Sequence, residues 1–296
     1  VEGICSNEAT PYGDASALHG LSLLTRGLAK VKGGPRDMAG PLAPFQLDQA
    51  KVAHRQNYPI RSNWKLAVEN YCECYHCAPA HPEYSLGHGR AIGDADSEQL
   101  LAQVMARPPA AGLTQHTVRR SWLDAEALGT ERGFDRYPLL RGHKTGSRDG
   151  EPVAPLLGSN RSFDGGATDL HLGPMMFGLA YCDHVVLYRF TPRALHSTDC
   201  EITWLVNESA MEGRDYDRAK LTWLWDVTTI ADKEIIQRNQ AGVDSRFYAP
   251  GPLSPMERFT RQFLEWYVAI MSRSLNSLDL NTTQSLDIVD PNTRGA

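Results

Sequence analysis

Long apolar runs are missing from this chain: nowhere does it approach the roughly 20 consecutive apolar residues that a bilayer-crossing helix needs. The opening VEGICSNEATPYGD also lacks the basic-then-apolar build of a signal peptide. Positive charge is not in surplus, since the formal net charge is −5 and the pI is about 6.1, so no nucleic-acid partner is expected. Cysteine is scarce: six residues in 296 are too few for a disulfide scaffold. There are no internal repeats. What is present is ordinary, with 42% hydrophobic and 22% charged residues, enough apolar material to fill a sizeable core. The expectation is a soluble, cytoplasmic globular protein with no membrane partner.

Residues 1–50 are rich in Gly, Pro and Ala and read as a connector. From 51, KVAHRQNYPI alternates like a strand. Ser62 or Asn63 can then cap a helix opening at WKLAVENYCECYHC, which Pro79 should end. Residues 85–166 carry the Gly, Pro, Asp and Arg of loops with short strands. Two strand-like runs, 184–190 and 199–206, are separated by turn-formers. A helix is expected over 215–241, on the period of Leu221, Leu224, Trp225, Thr228 and Ile235, with Gly242 as its stop. Ser254, Pro255 and Glu257 then form a capping-box start for a last helix presenting Phe259, Phe263, Trp266, Tyr267 and Ile270 to a core. Strands interleaved with a few long helices predict an α+β domain with an antiparallel sheet.

The stretch ENYCECYHCAPAHPEY, residues 69–84, gathers three cysteines, two histidines, three glutamates and two prolines. On a helix Cys72 and Cys74 would point about 160° apart and could not clasp one ion. Buried apolar fillers are the plainer role for these cysteines. CYH at 74–76 and CDH at 182–184 match half of a Rieske pattern, but neither is followed by Cys-x-x-His, so these residues do not ligate that cluster. Glu73 and His76 would share one helical face. His81 comes five residues after His76, and Pro79 and Pro82 bend the chain so that the second imidazole can swing back. Two imidazoles and one carboxylate make the facial triad of non-heme Fe(II) oxygenases, which leaves positions open for dioxygen. Two ordinary histidines near a helix end would read the same way. For the carboxylate, Asp232 shares a helical face with Thr228, Thr229, Ile235 and Ile236; Asp226 is the alternative, and either could be a solvated surface acid.

The phrase NWKLAVENYCECYHCAPAHPEY resembles the mononuclear-iron motif of the Rieske non-heme iron oxygenases, the family of aromatic-ring-hydroxylating large (alpha) subunits. A second phrase, ADKEIIQRNQAGVDSRFYAPGPLS, resembles that family's late helix, and the resemblance covers roughly 45–272. It implies that His76, His81 and Asp232 hold a mononuclear Fe(2+). It also implies that Glu73 passes electrons from a neighbouring subunit's cluster. The implied fold is the helix-grip (START-like) fold, a curved antiparallel sheet around a long helix. The implied organisation is a linker remnant over 1–45, a catalytic domain over 46–275 and a polar tail over 276–296. The N-terminal Rieske domain is not found, so a [2Fe-2S] Rieske cluster is expected from a missing domain or a partner. An NAD(P)H-dependent reductase as electron donor and a homotrimeric assembly are also implied.

Within the family the late phrase is most similar to enzymes acting on methylated ammonium compounds such as glycine betaine. That implies O2-dependent hydroxylation of an N-methyl group, followed by loss of formaldehyde. A quaternary ammonium favours an aromatic cage, for which Tyr181, Tyr188, Trp204, Trp223 and Trp225 are candidates, though aromatics at such spacings are usually core. Arg189 or Arg246 could hold a carboxylate. Hydroxylation of an aromatic substrate, a silent helix-grip ligand-binding module and a zinc protein using Cys72, Cys74 and Cys77 are the alternatives.

Overall fold

The computed structural model describes residues 42–73, 75–88, 132–140, 142–172, 174–254, 257 and 259–272. Six strands form one antiparallel sheet: β1 (Ala50–Ile60), β2 (Arg132–Pro138), β3 (Gly166–Leu172), β4 (Met176–Ala180), β5 (Val185–Ala194) and β6 (Ser197–Asn207). Their spatial order is β1-β6-β5-β4-β3-β2. β1, β5 and β6 contain the three runs expected from alternation. β3 and β4 were not expected. β3 carries Thr168, Asp169 and His171, all buried, so no apolar period marks it as a strand.

Strand alternation sorts the core into two faces. On β5, Val186, Tyr188 and Phe190 join Ile202, Trp204 and Val206 of β6 in the larger cluster. The intervening Val185, Leu187 and Leu205 face the other way, onto Leu42, Phe45, Leu47 and Leu157. Thus residues 42–45, the end of the expected linker, are packed rather than loose. The rest of the linker and the polar tail over 276–296 lie outside the described residues.

Helix α1 (Trp64–Cys72) is capped by Asn63, whose Oδ1 accepts from Lys65 N at 3.1 Å. The expected helix through to Pro79 breaks at Glu73, which is extended (φ −121, ψ 149). The break satisfies polar groups locally: the Glu73 carboxylate accepts from the backbone N–H of Tyr75 and, at 3.4 Å, of His76. Two short helices follow, α2 (Cys77–Ala80) and α3 (Pro82–His88), with His81 between them. Pro79 therefore sits inside α2, while Pro82 opens α3, where its missing N–H costs nothing.

Helix α4 (Arg218–Val243) runs for 26 residues and is N-capped by Asp217, whose Oδ1 accepts from Lys220 N at 3.1 Å. Gly242 is not its stop, because the helix continues to Val243 and its C-cap Asp244 is right-handed. Leu221, Leu224, Trp225, Thr228, Thr229 and Ile236 form its buried face. Gln240 and Gln237 tie it to the α1 entrance, accepting from Asn63 N at 2.8 Å and Arg61 N at 3.1 Å. The final helical stretch, 259–272, buries Phe263 and Trp266 beside Trp64 of α1. Half of its capping box forms, Ser254 N donating to Glu257 Oε2 at 2.7 Å, while Ser254 Oγ is buried without a partner and Pro255 lies outside the described residues. No helix among the described residues is long and apolar enough to cross a membrane.

Candidate metal centre

The break at Glu73 and the α2 turn point His76 and His81 at one acid on α4. His76 Nε2 lies 3.0 Å and His81 Nε2 2.9 Å from Asp232 Oδ1. The imidazole planes cross at 86°. One potential ligand atom from each of the three lies within 4.8 Å of the others. Asp226, the alternative acid, is engaged elsewhere, accepting from Tyr58 O–H at 2.6 Å.

The surrounding contacts suit a metal's ligands. His76 Nδ1 is 2.5 Å from Glu73 Oε1, which leaves Nε2 to face Asp232. A ligating histidine with its second nitrogen on a carboxylate is oriented and made more basic. Glu73 and His76 do not share the helical face that their spacing led us to expect, because the helix ends at Cys72; the turn, not a helix, brings them together. Asn70 Nδ2 donates to Asp232 Oδ1 at 2.9 Å and fixes the carboxylate. His81 is 1% exposed, and its buried Nδ1 has no partner. Burial opposes charge on His76, but the hydrogen bonds with Asp232 and Glu73 outweigh it and raise its pKa from 6.5 to about 9. Burial also works against the Asp232 carboxylate, yet His76, His81 and Asn70 together hold its pKa below the usual value. Two imidazole nitrogens and a carboxylate oxygen, converging without sulfur, are the donor set of a 2-His-1-carboxylate iron site. Among the described residues no cysteine joins this group. Cys72 and Cys77 are core residues, and Cys74 lies outside the described residues.

Beside these three residues is a cavity of about 100 Å³. Tyr188 and Trp225, two of the expected cage aromatics, line it. Tyr181 and Trp204 do not. Trp204 is 0% exposed and packs on His54 at 5.5 Å in the sheet core. Tyr181 lies one ring behind Trp225, 6.1 Å away. Trp223 is occupied by Arg148, 4.9 Å from its ring. Arg189 pairs with Glu201 at 3.0 Å and Arg246 rests on Phe247, both at the surface. The sequence reading missed Tyr71, Tyr84, Asn70, Asp169 and Thr228 as lining residues. Tyr71 and Tyr84 flank the histidine motif closely enough to have been candidates; Asp169 sits on β3, a strand with no sequence signal.

The profile of the family "Ring hydroxylating alpha subunit (catalytic domain)" matches residues 47–273. A glycine betaine monooxygenase oxygenase subunit of Chromohalobacter salexigens is 34% identical over 241 residues, covering 80% of this chain and 53% of the relative. A protein of the same name from Pseudomonas aeruginosa is 32% identical over 240 residues, covering 80% of this chain and 54% of the relative. Among solved structures, the quaternary ammonium Rieske monooxygenase CntA in complex with an inhibitor superposes with a TM-score of 0.51 at 15% identity. That match covers 79% of this chain and 53% of CntA and carries the fold: an antiparallel sheet packed on a long helix, as in the helix-grip catalytic domains of Rieske oxygenases. The chain spans about half the length of the curated relatives it matches. With the profile matched over more than half of its residues, the chain belongs to the ring-hydroxylating alpha subunit family of Rieske-type oxygenases.

Proposed function

We propose that this chain is the catalytic part of the oxygenase subunit of a Rieske-type non-heme iron oxygenase. In this reading residues 46–275 form the catalytic domain, following a linker over 1–45, and residues 276–296 are a polar tail. His76, His81 and Asp232 hold one ferrous ion, and the substrate is a small quaternary ammonium compound such as glycine betaine. The observation that carries the reading is the convergence of two Nε2 atoms on Asp232 Oδ1, at 3.0 and 2.9 Å, beside an aromatic cavity.

A ferrous ion bound there supplies a redox centre with open positions at which dioxygen can be activated. The chain's own groups orient and gather. Glu73 fixes the His76 ring through Nδ1, and Asn70 fixes the Asp232 carboxylate. Glu73 also lies on the route by which an electron arrives from a [2Fe-2S] cluster of a neighbouring subunit in a homotrimer, reduced by an NAD(P)H-dependent reductase. Tyr71, Tyr84, Tyr188 and Trp225 offer ring faces to an N-methyl cation. Cation–π attraction of this kind contributes up to about 2 kcal/mol when desolvated. Hydroxylation of one N-methyl carbon gives a hemiaminal, which releases formaldehyde and the demethylated amine. The names of the relatives, glycine betaine monooxygenase oxygenase subunits, favour this substrate class over an aromatic ring.

Formaldehyde release tests the assignment. The iron-loaded chain, supplied with a Rieske iron–sulfur protein and its reductase, is expected to release formaldehyde from glycine betaine or choline and to leave toluene unchanged. Ring hydroxylation without demethylation would overturn the substrate class.

A further inference from the structure

Tyr181 and His88 lie behind the cavity wall, outside the metal and substrate roles described above. The Tyr181 side chain is fully buried, and His88 is 3% exposed. Gly146 closes over the phenol: a Cβ there would stand 2.6 Å from the Tyr181 hydroxyl oxygen, so only glycine lets the loop seal it from water. The hydroxyl lies 2.7 Å from His88 Nε2. His88 Nδ1 is 2.9 Å from the carbonyl oxygen of Tyr84, which can only accept. In a neutral His88 the proton therefore sits on Nδ1, Nε2 is the acceptor, and Tyr181 donates its O–H to an imidazole base.

Burial pushes the Tyr181 phenol well above its usual pKa, so it does not ionise at neutral pH by itself. Removing an electron makes the phenol strongly acidic, and His88 Nε2, 2.7 Å away, is placed to receive the proton. The electron has a short path. Trp225 lines the cavity, and its ring centre is 6.1 Å from that of Tyr181. Tyr84, also on the cavity wall, stacks on His88 at 4.1 Å.

We propose that Tyr181 and His88 form a proton-coupled electron donor that quenches oxidising equivalents arising in the cavity when no substrate consumes them. The inference rests on the iron reading of the cavity. A ferrous ion held by His76, His81 and Asp232 would, on meeting a peroxide, supply the one-electron oxidant. One electron passes from Tyr181 by way of Trp225 to that oxidant, which is reduced by one electron. The Tyr181 O–H bond breaks, and its proton forms an N–H bond at His88 Nε2. The products are a neutral tyrosyl radical and an imidazolium.

The test uses the chain loaded with Fe(II), its iron content measured first, then mixed with hydrogen peroxide without substrate and freeze-quenched for electron paramagnetic resonance. The parent is expected to give a tyrosyl signal that narrows when ring-deuterated tyrosine is incorporated. Tyr181→Phe, checked for fold by circular dichroism, is expected to lose that signal, and peptide mass spectrometry is expected to find more oxygen added to Trp225. Should Tyr181→Phe fail to fold, Trp225→Phe, which interrupts the path, is expected to slow the appearance of the signal. An iron-loaded parent without a tyrosyl signal, an undiminished signal in Tyr181→Phe or an unchanged rate in Trp225→Phe overturns this inference alone. A parent that takes up no iron overturns the metal reading and this inference with it.

Discussion

Asp232 Oδ1 is met from three sides: the Nε2 atoms of His76 and His81, and the Asn70 amide, which comes from 162 residues away in sequence. The amide holds one carboxylate oxygen in place whichever cation the imidazoles share with it. Contacts that orient a metal's ligands typically change metal affinity by about 10–100-fold when removed. Asn70→Ala is therefore expected to weaken Co(II) binding by roughly that factor, read as quenching of intrinsic fluorescence, without lowering the melting temperature of the metal-free chain. Equal affinity in the variant would remove Asn70 from the positioning role. His76 and His81 could be singled out in the sequence because their residue types and the prolines around them are unusual together, whereas Asp232 was marked out from Asp226 by the family resemblance of its phrase. Asn70 could not, because its role depends on a partner that only the folded chain brings near. Tyr181 and Trp204 do not line the cavity for the converse reason: strand alternation identifies an inward side chain but not which part of the interior it reaches.

Helix α1 meets the turn before residues 259–272 through two acids. Burial raises the Glu69 pKa from 4.5 to about 7; Lys65 pulls it down, and the like charge of Glu257 pushes it up again. The folded carboxyl thus holds its proton to a higher pH than the unfolded one. Between about 4.5 and 7 the folded state binds more protons, so this group's contribution to stability falls as pH rises through that window. Glu69→Gln keeps the group neutral at every pH. Its unfolding free energy, read by denaturant titration, is expected to lie close to the parent's near pH 5 and to exceed it near pH 8 by a difference on the order of 2 kcal/mol. The same offset at both pH values would contradict the assigned pKa shift. Elements with a strong period, β1, β5, β6 and α4, were legible in the sequence. β3 was not, because the buried Thr168, Asp169 and His171 are polar, their burial compensated by tertiary contacts such as Arg136 Nη1 donating to Thr168 Oγ1 at 2.7 Å. Nor was the break at Glu73, where a side chain capping its own turn overrides helix propensity.

Across the whole molecule, the candidate site is a meeting of distant parts: the α1–α2 turn supplies one imidazole and the α2–α3 junction the other, α4 supplies the carboxylate, and β5 part of the aromatic wall. The sheet packs its larger cluster against α1 and α4 and so sets their spacing. Family membership and the α+β architecture were both readable from the two sequence phrases around His76 and Asp232. The cavity lining was not, since it is drawn from α1, α2, α3, β3, β4, β5, α4 and the final helical stretch. Anaerobic Fe(II) titration of the metal-free chain, followed calorimetrically, tests the three-residue site most directly. About one equivalent is expected to bind the parent, as one facial triad requires, and none to bind Asp232→Ala. A parent that takes up no Fe(II), or a variant that takes it up undiminished, would contradict the account.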